Sequence, residues 1–87
     1  MLAAVSSTPV VDLGARLRAS VAKVVADVGR SGVVDELRAG LAWTAACGQT
    51  CQLTGPVARV RQAVGEIQDG DLAAAEASLR RALAALR

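Results

Sequence analysis

Histidine is absent from this chain, as are phenylalanine, tyrosine and asparagine, and Trp43 is the whole aromatic content. Without an imidazole there is no His general base, no Ser–His or Cys–His nucleophile pair and no His ligand for a metal. A single aromatic ring gives no platform on which successive bases could stack. Lysine occurs once; nine of the ten basic residues are arginine, set against eight acidic residues. The resulting net charge of +2 is too small to argue for nucleic acid as a partner. Charges of both signs are interspersed, the pattern of solvated helix faces. The expectation is therefore a protein that is not an enzyme, with no catalytic residues and no cofactor.

What is present is apolar and small. Hydrophobic residues make up 53% of the 87 positions, too many for a natively disordered chain. The length fits one small domain. Nineteen Ala, twelve Val and ten Leu supply most of that content. Alanine contributes little buried area, so the core rests on Val and Leu. A core that thin favours a protein partner, or a second copy of the chain, to complete it.

The N-terminal run MLAAVSSTPV has no positive n-region and its apolar stretch stops at Ser6, so no signal peptide is read there and a cytoplasmic location is expected. The longest uncharged stretch, 39–58, carries Thr44, Gln49, Thr50, Gln52, Thr54 and Pro56, which argues against a membrane span.

Apolar spacing predicts an all-α fold, a small antiparallel bundle of four helices at 9–28, 33–52, 56–68 and 72–86. Residues 1–7 are read as a loose leader and 8–87 as one helical domain. In the first helix Thr8 caps, Pro9 takes the first helical position, and Val10, Leu13, Leu17, Val21, Val24 and Val28 form the stripe up to Gly29. The second helix carries Asp35 and Glu36 in its first turn, where the dipole favours them. Its seam is Val34, Leu37, Leu41, Thr44, Gly48 and Cys51, with steps of three and four as in a heptad. Ala39, Gly40, Ala42, Ala45 and Ala46 would let another helix approach closely. Val57, Val60, Val64 and Ile67 mark the third helix; Leu72, Ala75, Leu79, Leu83 and Leu86 mark the fourth. Asp71 is the expected N-cap of the fourth, and Glu76 and Arg80 are placed to pair at i,i+4.

Residues 56–87 carry Gly70-Asp71-Leu72 followed by Ala75, Leu79, Ala82 and Leu83, with Ala63 as a small residue in the preceding helix. In these residues the segment resembles a single tetratricopeptide-repeat hairpin. Arg59 and Gln62 stand where that repeat carries large apolar residues, and a generic helical hairpin is the alternative. The resemblance implies a protein-binding surface and no catalysis.

Cys47 and Cys51 are the two residues with chemistry of their own. On a continuous helix their Cβ atoms would lie ~5–6 Å apart and parallel, whereas a disulfide wants about 3.8 Å. The bond would be strained unless the helix breaks at Gly48. The favoured reading is two buried thiols acting as small apolar residues. The alternatives are disulfides between chains, or a metal held by four thiolates from two chains. Trp43 is either a core or hairpin-edge residue or an anchor for a partner, since Trp is enriched among binding hot spots.

Together these features favour a protein–protein interaction module that self-associates through an Ala/Val/Leu helix face, with Val34, Leu37, Leu41, Trp43, Thr44 and Gly48 as the interface. A thiol-based metal or redox site at Cys47 and Cys51 is the rival class. A weak nucleic-acid-binding regulator using Arg59 and Arg61 is a third, disfavoured by Asp69 and Asp71 nearby.

Overall fold

In the computed structural model, residues 14–86 are described, and they fold into four α-helices with no strand among them. The helices are α1 (Ala15–Val25), α2 (Val33–Ala46), α3 (Thr54–Gln68) and α4 (Leu72–Ala85), with a short 3-10 turn at Thr50–Gln52 between α2 and α3. Each helix packs on its neighbours in sequence, and α4 closes back on α1. The all-α bundle of four helices expected from the spacing is the observed architecture.

The stripes explain the core. Leu17, Val21 and Val24 of α1, Leu37 of α2, Val60 and Ala63 of α3, and Ala75, Leu79 and Ala82 of α4 are all fully buried. Val25, Val34, Leu41, Ile67 and Leu83 pack against this set from its edges. No helix among the described residues is long and apolar enough to cross a membrane.

The first helix differs from the expected 9–28. Gly14 sits at φ +79°, so a helix through this position is interrupted and α1 begins behind it. The Thr8-Pro9 start, with Val10 and Leu13, lies outside the described residues, as does the leader. At the other end α1 stops at Val25, and the bonds Asp27 N–H to Val24 O and Arg30 N–H to Asp27 O turn the chain. That turn returns Val28 to the core although it is no longer helical. Gly14 itself is buried at one end of the bundle, where the side chains of Leu86 and Leu53 close over it.

The second helix ends at Ala46 instead of residue 52. Gly48, at φ +71°, forms a Schellman turn: its N–H bonds Ala45 O at 3.0 Å, and Gln49 N–H bonds Thr44 O at 3.0 Å. The same device ends α3, where Gly70 N–H meets Ile67 O at 3.0 Å and Asp71 N–H meets Glu66 O at 2.8 Å. Asp71 then caps α4, its Oδ1 accepting from Ala74 N–H at 3.2 Å. The third helix starts at Thr54, earlier than the expected 56, because Pro56 is tolerated in a first turn whose N–H groups have no helical partner.

Candidate functional site

The six interface positions expected on the second helix do not share one surface. Leu37 and Thr44 are buried inside the chain, facing the core with Val33 and Gly40. Thr44 meets its own polar requirement by donating from Oγ1 to Gly40 O at 2.7 Å. Val34 and Leu41 are half-buried on one flank of α2. Trp43 lies on the other flank, about 160° from Leu41 at 100° per residue. Gly48 is exposed in the turn beyond the helix.

Trp43 is 57% exposed, and the other large apolar side chain that is exposed among the described residues is Leu72, at 40%. On the helix surface Trp43 has Ala39 one turn before it and Ala46 and Cys47 one turn after, all exposed. The result is a wide indole standing among short side chains that cannot cover it.

Both thiols are free and exposed, which corrects the reading of two buried cysteines. Cys47 is the C-cap of α2 and Cys51 sits in the 3-10 turn, so Cys51 is not on the apolar seam. The steps of three and four continue past Gly48 in the sequence, but the helix ends before it. Among the described residues no group of three or more His, Cys, Asp or Glu is gathered that could hold a metal ion.

Polar clasps join the helices of each hairpin, and the apolar spacing of the sequence does not disclose them. Ser20 of α1 is fully buried and donates from Oγ to Glu36 Oε2 of α2 at 2.8 Å. Arg16 Nη1 donates to Ser20 Oγ and also reaches Glu36 Oε2 at 3.2 Å. Lys23 Nζ stands 3.8 Å from Glu36 Oε1. The Ser20 hydrogen bond, then that from Arg16, holds the Glu36 carboxyl below its ordinary pKa, outweighing the effect of partial burial; Lys23 adds attraction. The second hairpin repeats the device in reverse order, with Ser78 of α4 donating to Glu66 Oε1 of α3 at 2.8 Å. A serine inside an apolar helical stripe is the signal that could have found both.

Arg59 and Arg61 are exposed on α3. Arg80 pairs with Glu76 at 2.6 Å, as the i,i+4 spacing anticipates. Comparison with protein-family models, with curated proteins and with solved structures finds no match to this chain.

Proposed function

We propose that this protein is a small helical interaction module that binds a protein partner, a second copy of itself included, through the Trp43 flank of α2. The observation that carries this reading is the exposure of Trp43, the chain's one aromatic side chain. Leaving an indole in water forgoes a large burial gain, and Trp is the residue type most enriched where interfaces concentrate their binding energy. The exposed Ala39, Ala42 and Ala46 around it favour close approach by another helix. The interface is thus drawn on Trp43 and its alanine neighbours, with Leu37 and Thr44 serving the fold. The resemblance of the α3–α4 hairpin to a tetratricopeptide repeat adds a binding role and no catalytic one.

Sedimentation at two concentrations, with the native chain and Trp43→Ala, tests the proposal. The native chain is expected to gain mass with concentration and the variant to remain a monomer while keeping its helical circular dichroism. A native chain that stays monomeric, and that binds the same proteins from its host with or without Trp43, would overturn it.

A further inference from the structure

We infer that Cys47 and Cys51 form a redox site, a dithiol that exchanges with low-molecular-weight disulfides and closes into an intramolecular disulfide. Three observations carry it. Both sulfurs belong to exposed residues, so each is reachable by a small molecule. The two residues stand on either side of Gly48, whose φ of +71° ends α2. A continuous helix would hold the two Cβ atoms parallel and too far apart, and that constraint is gone here. Finally, Cys51 lies in a three-residue 3-10 turn kept by Gln52 N–H to Gln49 O at 3.0 Å and Leu53 N–H to Thr50 O at 3.2 Å. Such a turn is short enough to adjust at little cost, while Leu53 beyond it stays anchored in the core.

The same pair offers a metal only two thiolates. A structural zinc takes four ligands, and among the described residues no third Cys, His, Asp or Glu joins them. Disulfide exchange is the chemistry that two thiols complete within one chain. One thiolate attacks a sulfur of the small disulfide, forming a mixed disulfide and releasing one small thiolate. The second thiolate then attacks the protein sulfur of that mixed disulfide and expels the other small thiolate. The protein loses two protons and two electrons, and the small disulfide gains both to become two thiols. The closed bond ties the end of α2 to the turn that leads into α3, one helical turn from Trp43. This inference does not depend on partner binding.

Oxidised glutathione, in excess over the reduced full-length chain, is the probe. Intact mass spectrometry should show the loss of two hydrogen atoms with no lasting adduct, and peptide mapping should link Cys47 to Cys51. Cys51→Ser should instead keep one stable glutathionyl group. In glutathione buffers the ratio of closed to open chain should rise in proportion to oxidised glutathione divided by the square of reduced glutathione. Persistent adducts on both thiols of the native chain, unreacted thiols, or chains linked to one another would each overturn the inference.

Discussion

Gly40 of α2 lies so close to Ser20 of α1 that a β-carbon on it would stand 2.7 Å from Ser20 Oγ and 2.9 Å from Ser20 Cβ. Neither distance is tolerable for non-bonded carbon, and Leu17 Cδ1 closes the site at 3.4 Å. Ser20 cannot simply rotate away, because its hydroxyl is held by Arg16 and Glu36. The two helices therefore meet at a point where one has no side chain and the other has a short, fixed one.

Gly40→Ala should push α1 and α2 apart and destabilise the fold by ~1–3 kcal/mol, the usual range for overpacking. Alanine's better helix propensity, about 1 kcal/mol, offsets only part of that. Urea denaturation measures the loss. Adding Ser20→Ala removes the nearer atom but leaves the β-carbon. The double variant is therefore expected to lose less than the sum of the two single changes. An additive result would mean that the helices do not touch here.

The Ser20–Arg16–Glu36 clasp also predicts how stability changes with pH. The folded-state pKa of Glu36 is lowered, so its ionised form is favoured by folding. Its contribution is fully present above the unfolded glutamate pKa of ~4.3 and is lost as pH falls through the lower folded value. Glu36→Gln should be less stable than the native chain at neutral pH. The two urea midpoints should converge as the solution is acidified below that range. A difference that stayed constant with pH would show that the carboxylate charge is not what matters.

The helical stripes were legible because Leu17, Val21 and Val24, or Val57, Val60 and Val64, repeat at steps of three and four, and that periodicity is a local property. Asp71 was legible as a cap for the same reason. The end of α2 was not: a glycine in an otherwise apolar run is compatible with a helix interior and with a Schellman turn. Which one forms is decided by whether the chain must turn to begin α3. A helix continued past Gly48 would put Cys51 on the apolar seam, whereas the turn takes it off that seam and both thiols are exposed. The clasps were hidden differently. Ser20 and Ser78 meet carboxylates 16 and 12 residues away, and no periodicity records which turn of one helix faces which turn of another.

Two glycines of the α3–α4 hairpin should respond in opposite directions. Gly65 lies within α3 with nothing inside 4 Å of its would-be β-carbon, so Gly65→Ala should stabilise by ~0.5–1 kcal/mol. Gly70 adopts φ +82°, where a β-carbon costs roughly 1–2 kcal/mol, so Gly70→Ala should destabilise by about that amount. Open space surrounds Gly70 as well, so crowding is not the cause in either case. Thermal melts of the two variants should move to opposite sides of the native midpoint. Shifts of the same sign would contradict the left-handed turn.

Trp43 reports on its own surroundings, because its indole is the chain's one tryptophan fluorophore. At 57% exposure its emission in the dilute chain should resemble that of solvated indole and be quenched readily by iodide. If the Trp43 flank is where a second copy docks, raising the protein concentration should move the emission to shorter wavelength and reduce quenching together, over the range in which sedimentation records the larger species. Trp43→Phe should preserve much of the association, since an aromatic ring still fills the contact, whereas Trp43→Ala should abolish it. In the dilute, unassociated chain neither change should alter the unfolding free energy by more than ~0.5 kcal/mol, as expected for an exposed position. An association that proceeds with the emission unchanged would place the contact elsewhere on the bundle.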